Sequence, residues 1–277
     1  MNFEYKENTK INIEFEKSFE LLSQEEWDTY LSSTIFDDMR FDINKFSEYK
    51  DRIMIYPRLG EATTDLINKV GELLVTYSMC KHYYDKGIPD DPFFISPGKD
   101  GQSVQYFPEF QSEHHMRRYW FNYFASGMYL RFFSYWDGII GLVNIFYGID
   151  ESMNDYRFRQ NVMAKLKVNH PNVHDFLKTI LSESLYIEAN EYRTCFVHGQ
   201  APSEVTNEYV VQKDVITEVP TVVDGKLEMK KMKALAVLSA RVGDYVNVKT
   251  VMTNIEAFAV FTGQKVQSLL QMMVYHS

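Results

Sequence analysis

EYRTCFVHGQ, residues 191–200, closes the most regular apolar pattern in the chain. Upstream of it, apolar residues recur at steps of three and four, the spacing of one helix face; they are Val173, Leu177, Ile180, Leu181, Leu185, Ala189, Tyr192 and Phe196. This spacing predicts one helix over residues 172–197, with Pro171 in its first turn. Gly199 is placed for a left-handed C-terminal cap, and Pro202 prevents continuation. We therefore expect Arg193 in the last full turn and His198 at the helix end.

Arg193 and His198 are a candidate pair for phosphate chemistry. A guanidinium is a permanently charged fork that fits a phosphate, and an imidazole changes protonation near neutral pH. A five-residue step turns an ideal helix by about 140°, so the two side chains reach one ligand only if the helix ends there. Two simpler interpretations stay open: His198 interacts with the helix dipole and terminal carbonyls, and Arg193 forms a structural ion pair.

A second long helix is predicted over residues 109–148, where nearly every flank is apolar or aromatic. One narrow face of it is small and polar; its members are Gly127, Arg131, Ser134, Asp137, Gly141, Asn144 and Gly148. Small residues let another helix approach closely, and a buried carboxylate needs a partner. Arg193 is the predicted partner of Asp137. Arg131, Ser134 and Asn144, together with Thr194, are the candidate binding residues.

The segment RTCFVH, residues 193–198, resembles the R-x(4–6)-H signature of the HEPN superfamily, small all-helical domains that are often metal-independent RNases. Its members pair so that two motifs share one cleft, and many act as toxins or in defence. The resemblance implies a homodimer that cleaves single-stranded RNA to a 2′,3′-cyclic phosphate without a metal or other cofactor. Arg193 would hold the phosphate, His198 would act as acid or base, and Asp137 would orient one of them. An antitoxin or sensor protein is a further candidate partner.

One position departs from that signature. Active members usually carry Asn, His or Asp after the arginine, whereas this chain has Thr194. The alternative is therefore a non-catalytic HEPN-like protein that binds nucleotide, RNA or a protein partner.

Composition narrows the class of protein. The chain has 277 residues, and its 29 Lys and Arg against 38 Asp and Glu give a net charge of −9. This charge argues against broad binding of duplex nucleic acid, although a narrow basic cleft is compatible with it. Three basic clusters could rim such a cleft, although clusters of this kind are usually solvated faces; they are Arg117 with Arg118, Arg157 with Arg159, and Lys230 with Lys231 and Lys233.

The expected setting is cytoplasmic. Cys80 and Cys195 are far apart and form no metal or redox motif, which fits a reducing compartment, and Cys195 is predicted to be a small buried residue. The N-terminus lacks the apolar region of a signal peptide. Arg131 and Asp137 interrupt the apolar stretch 119–147, which argues against a membrane span. His170 and His174 are read as surface residues rather than metal ligands, because Pro171 starts a helix between them.

The predicted fold class is mainly α: a helical bundle of HEPN type over residues 106–277, with an N-terminal helical extension over residues 1–105. Ser23 and Glu26 form a capping box for a short helix. Further helices are predicted over residues 60–84 and 244–273, a short basic helix or turn over 155–166, and a loop over 90–108. Asp224 and Gly225 predict a hairpin turn within a small β insertion near residues 205–232, made of two or three short strands.

Overall fold

The computed structural model describes residues 19–42, 44–46, 54–90, 107, 109–199, 201–204, 207–223, 226–242 and 245–275. Within these ranges the chain is mainly α-helical, as predicted. The helices are α1 (Gln24–Leu31), α2 (Tyr56–Asp85), α3 (Ser112–Phe146), α4 (Phe158–Asn169), α5 (Pro171–Ser182), α6 (Ser184–His198) and α7 (Val248–Tyr275). A 3-10 helix, Thr34–Met39, follows α1, and the strands β1 (Asn207–Val223) and β2 (Lys226–Val242) lie between α6 and α7. Most of the predicted loop 90–108, and the turn at residues 224–225, lie outside the described residues.

Helix α3 is the centre of the fold. It is 35 residues long, and α2 runs antiparallel along it, so that Leu66 meets Gly138 near one end and Tyr83 stacks on Trp120 at the other. A Cβ on Gly138 would lie 2.9 Å from Leu66 Cδ2, so the glycine permits the close approach of the two helices. None of the helices in the described ranges is long and apolar enough to cross a lipid bilayer.

Helices α6 and α7 cover the other flank of α3 through aromatic contacts. Phe258 of α7 is fully buried, and its ring centroid lies 5.1 Å from that of Phe132 and 6.0 Å from those of Phe133 and Tyr186. The predicted buried stripe of α7 is confirmed; its members are Val248, Val251, Ile255, Phe258, Thr262, Val266, Leu269 and Met273.

The prediction of one helix over residues 172–197 is wrong, because the backbone breaks at Glu183 (φ −66°, ψ 136°) into α5 and α6. Helix α5 buries Val173, Leu177 and Ile180, whereas α6 buries Tyr186, Ala189 and Tyr192. The six-residue step from Ile180 to Tyr186 turns an ideal helix by about 240°, so a continuous helix would aim the two stripes in different directions. The break lets both stripes face the core.

The end of α6 also differs from the prediction. Gly199 follows the last helical residue, but its φ of −131° is not left-handed. The left-handed glycines are instead Gly87 after α2 (φ 83°) and Gly148 after α3 (φ 59°), where an αL residue lets the chain leave the helix. Cys195 is exposed rather than buried as predicted, because α6 turns Tyr192 and not Cys195 toward the core.

Strands β1 and β2 form one long antiparallel ribbon rather than the two or three short strands predicted. Each strand has 17 residues, and the ribbon extends to Val242, beyond the predicted end near residue 232. The register shifts between Val210 and Val211 and again between Gln212 and Val215. At the root of the ribbon, Val246 N–H donates to Pro202 C=O at 2.9 Å, which joins the two ends of the insertion.

The part of the chain before residue 105 shares its hydrophobic core with the part after it. One cluster of buried apolar residues contains members of both parts, among them Leu66 and Tyr83 before residue 105 and Phe132 and Phe258 after it. Tyr77 of α2 also donates to Glu256 Oε1 of α7 at 2.9 Å. The capping box that begins α1, predicted at Ser23 and Glu26, is confirmed. The division of the chain at residue 105 stays a prediction.

Two glycines make a matched test of the packing. A Cβ on Gly263 of α7 would lie 2.7 Å from Asp38 Cβ, so Gly263→Ala forces the 3-10 helix away and should lower the free energy of unfolding by about 1–3 kcal/mol. Gly71 of α2 has no heavy atom within 4 Å of its would-be Cβ, so Gly71→Ala should raise that free energy by about 0.5–1 kcal/mol. Urea denaturation measures both. Equal stabilisation by the two substitutions would contradict the close contact at Gly263.

Candidate functional site

Helix α6 brings the R-x4-H motif to the flank of α3. The two helices run antiparallel: Tyr186 contacts Trp136 at 6.1 Å between ring centroids, and Phe196, near the other end of α6, stacks on Tyr129 at 5.8 Å. Because this face is fixed to α3, the remaining face of α6 points to solvent. His198 is the last residue of α6, and the predicted placement of the motif at a helix end is confirmed.

Arg193 lies on an aromatic ring and not beside a carboxylate. Its guanidinium carbon is 4.9 Å from the centre of the Phe133 ring, a cation–π contact. Within the described ranges Arg193 makes no ion pair and no hydrogen bond. Its Nε is buried without an acceptor, which leaves the terminal Nη atoms for solvent or a ligand. The guanidinium is therefore positioned but not neutralised.

The predicted pairing of Arg193 with Asp137 is wrong. Asp137 Oδ1 lies 3.7 Å from Arg159 Nη2 of α4, and the Asp137 side chain is 64% exposed rather than buried. Tyr186 accepts a hydrogen bond from Arg159 at 3.3 Å and holds it at this place. The polar face of α3 is open to solvent here, and the cation that lies beside Asp137 is Arg159 of α4, whereas Arg193 lies over Phe133.

His198 is exposed and forms no hydrogen bond, ion pair or ring contact with the residues that the structure describes. In that part of the chain Arg193 has no structural ion pair, so the simpler interpretation of the arginine is not realised. His198 does not bond the last carbonyls of α6, but as the last residue of the helix it stands at the negative end of the dipole, so the dipole interpretation of the histidine stays open. The Nη atoms of Arg193 and the imidazole of His198 are therefore available to a ligand.

A family model described as HEPN_Cthe2314-like HEPN matches residues 63–257, more than half of the chain. The chain belongs to the HEPN superfamily. The match begins within α2, includes the whole of α3 to α6 and the β ribbon, and ends within α7, so the R-x4-H motif lies inside the HEPN domain. No curated protein and no solved structure matches the chain.

The HEPN domain places the four predicted binding residues in different surroundings. Thr194 is exposed, and its hydroxyl donates to Asn190 C=O at 2.8 Å. Asn144 is buried and bonds the backbone of Glu151 through both amide atoms at 3.0 Å, so it holds the turn after α3.

The other two, Arg131 and Ser134, lie where α2 borders the outer face of α3. Arg131 Nε is 3.7 Å from Glu72 Oε2, and Ser134 accepts from Lys69 Nζ at 3.2 Å.

Sequence reasoning missed Lys69 and Phe133 and did not place Arg159. In the sequence Phe133 is one of many aromatic residues of α3, and Lys69 is a single lysine that belongs to no motif or basic cluster. Arg159 belonged to a basic cluster, but its neighbours on other helices could not be read from the sequence. Packing of α2, α4 and α6 on α3 brings Lys69 beside Ser134, Arg159 beside Asp137, and Arg193 over the ring of the buried Phe133.

Tyr192 lies next to the motif arginine and faces the carboxylate of Glu188. Burial, with the Glu188 carboxylate as a smaller cause, raises the pKa of Tyr192 to about 12. Its phenol therefore stays protonated at neutral pH and donates to Glu188 Oε1 at 3.2 Å.

In the described ranges no group of three or more His, Cys, Asp or Glu side chains is arranged to hold a metal ion. His170 and His174 have separate neighbours: the His170 ring lies 4.1 Å from that of Tyr147, and His174 Nδ1 lies 2.8 Å from Asp175 Oδ1.

Proposed function

We propose that this HEPN protein is a metal-independent endoribonuclease that cleaves single-stranded RNA through Arg193 and His198. One observation carries this proposal: the arginine and the histidine of the R-x4-H motif lie at the end of α6 and are both without an ion pair or hydrogen bond among the described residues. A positively charged group that no carboxylate neutralises is available to bind an anion, and the resemblance to HEPN nucleases indicates a phosphodiester as the anion.

The chemistry follows from the two side chains. The 2′-oxygen of a ribose attacks the adjacent phosphorus, the bond from phosphorus to the 5′-oxygen breaks, and the products are a 2′,3′-cyclic phosphate and a 5′-hydroxyl. His198 takes the proton of the 2′-hydroxyl or supplies a proton to the leaving 5′-oxygen. The Nη groups of Arg193 hold the phosphate and stabilise the charge that develops on its oxygens. Contact with the Phe133 ring limits the conformations of the guanidinium, so less side-chain entropy is lost when the phosphate binds.

A second copy of the chain completes the proposed cleft. Two histidines, one from each copy, would supply both the base and the acid. On α6 the apolar side chains of Ile187 and Val197 are 45% and 46% exposed, and a partner copy would cover such residues. A cytoplasmic setting, a role in defence or as a toxin, and control by an antitoxin or sensor protein are further parts of this proposal that the superfamily resemblance supports.

One observation favours the alternative, a non-catalytic HEPN protein that binds nucleotide, RNA or a protein partner. Active members usually carry Asn, His or Asp after the motif arginine, and here that position is Thr194, whose hydroxyl is engaged by the carbonyl of Asn190. Such a protein would keep the anion site at Arg193 without cleaving its ligand.

Incubation of end-labelled single-stranded RNA with the full chain in excess EDTA tests the proposal. We expect cleavage that the chelator does not slow, and 2′,3′-cyclic phosphate ends on the products. Light scattering on the same sample should show a dimer. Binding of RNA without cleavage, with or without divalent ions, would establish the alternative, and cleavage that EDTA abolishes would contradict a metal-independent site.

A further inference from the structure

We propose that the outer face of α3 beside Arg193 is a groove that binds successive phosphates of single-stranded RNA. Four cations line this groove, which we call the α3 groove: Lys69, Arg131, Arg159 and Arg193. The identity of the ligand rests on the proposed function, whereas the groove adds two residues, Lys69 of α2 and Arg159 of α4, that lie outside the R-x4-H motif.

The first pair of cations flanks one turn of α3. Lys69 Nζ donates to Ser134 Oγ at 3.2 Å, and Arg159 Nη2 lies 3.7 Å from Asp137 Oδ1. Ser134 and Asp137 are three residues apart and both exposed, so they are neighbours on one helix face. A cation from α2 and a cation from α4 therefore meet the same turn of α3 from opposite sides.

The second pair flanks the preceding turn. Arg193 of α6 lies over Phe133, and Arg131 lies on the α2 side, with its Nε 3.7 Å from Glu72 Oε2. Successive turns of a helix are about 5.4 Å apart. Four elements of the fold thus place two cations on each side of a two-turn stretch of α3.

The carboxylates on this surface hold the cations weakly. Asp65 lies 3.5 Å from Lys69, and the other two pairs are separated by 3.7 Å. Strong charge-assisted bonds to a carboxylate or phosphate are about 2.7–2.9 Å long. The side chains of Asp65, Glu72 and Asp137 are 59%, 62% and 64% exposed, so they can swing into solvent when a phosphate arrives. Arg193 has no carboxylate partner among the residues that the structure describes.

The exposed face of α3 continues from the groove toward the start of the helix, where it offers side chains on which unpaired bases can stack. Leu130 and Tyr123 lie on the same exposed face of α3, and their side chains are 48% and 58% exposed. Bases of an unpaired strand stack on aromatic and apolar side chains, whereas the bases of a duplex are inaccessible. The net charge of −9 also disfavours a wide anionic surface such as a lipid bilayer, because the attraction is confined to one groove.

The groove is tested by RNA binding in the full chain carrying His198→Ala, so that binding is measured without cleavage. The test variant adds Lys69→Gln and Arg131→Gln; the control variant instead adds Lys167→Gln and Lys178→Gln, which remove two exposed lysines from α4 and α5. Fluorescence anisotropy with labelled oligouridylate is recorded over a range of salt concentrations. We expect the groove variant to bind roughly tenfold more weakly, with a salt slope smaller by about 1.4, because each single-strand phosphate contact contributes about 0.7. The control should change neither quantity.

Asp137→Asn provides a test of opposite sign. Removal of this carboxylate frees Arg159 for phosphate, so RNA should bind more tightly, by roughly two- to fivefold. A residue that only orients the catalytic pair would leave the affinity unchanged.

The outcomes separate the groove from the catalytic proposal. If the groove variant binds RNA more weakly but the wild type never cleaves RNA, the groove is supported and the nuclease activity is contradicted. If the wild type cleaves RNA but the groove and control variants have equal affinity and equal salt slope, the groove is contradicted and the nuclease activity is supported. Loss of binding to phosphatidylserine vesicles or to a phosphopeptide, with RNA binding intact, would also overturn an RNA groove.

Discussion

Substitution of His198 by alanine should lower the single-turnover rate of RNA cleavage by about 10²–10⁴-fold, the usual contribution of a positioned acid or base. The imidazole is exposed and makes no hydrogen bond, ion pair or ring contact with the described residues, so its removal should disturb the packing little. The free energy of unfolding should therefore stay within about 0.5 kcal/mol of wild type. A loss of rate without a loss of stability would place His198 in the chemistry and not in the fold.

His115→Ala is the matched control for this measurement. His115 is also exposed, but it lies near the start of α3, where it contacts Phe110, far along the helix from Phe133 and Arg193. Its removal should leave the cleavage rate unchanged. If His198→Ala cleaved RNA as fast as wild type, or if both substitutions slowed cleavage equally, Arg193 and His198 would not be the catalytic pair.

Substitution of Phe258 by alanine should lower the free energy of unfolding by about 3–5 kcal/mol, the cost of a large cavity in a well-packed core. Phe258 is fully buried where α3, α6 and α7 meet, and its ring contacts Phe132, Phe133 and Tyr186. No single helix supplies these contacts, so the cavity weakens the attachment of α6 and α7 to α3 together. Urea denaturation monitored by circular dichroism measures the change.

Val260→Ala is the control for that cavity, because Val260 lies two residues away on the same helix and is 43% exposed. Its removal should change the free energy by no more than about 0.5 kcal/mol. Phe133 also supports the guanidinium of Arg193, so Phe258→Ala should slow cleavage as well. A loss below about 1.5 kcal/mol would mean that the aromatic contacts around Phe258 are not the centre of the core.

Membership of the HEPN superfamily is shown by the match over residues 63–257, which covers the motif and the helices that carry it. The proposed activity would depend on the protonation and geometry of Arg193 and His198 and on a second copy of the chain. Thr194 is the residue that separates family membership from activity. It lies inside the matched region, at the position where active members usually carry Asn, His or Asp.

Local patterns in the sequence determined α3 and α7 with their buried faces, and the start of α1. The stripe of α7, the aromatic flanks of α3 and the capping box of α1 each depend on residues within a few turns of one another, and the structure has all three. The position of His198 at a helix end is local as well, since Pro202 prevents the helix from continuing.

Only the tertiary structure decided which charges meet. Asp137 pairs with Arg159 and not with Arg193, because α4 reaches the open face of α3 at that turn. The break at Glu183 appears only when the stripes of α5 and α6 have to face one common core. Helical periodicity shows which face one helix buries. An exposed carboxylate, however, pairs with whichever cation lies near it, and that cation is brought there by the packing of helices that are far apart in the sequence.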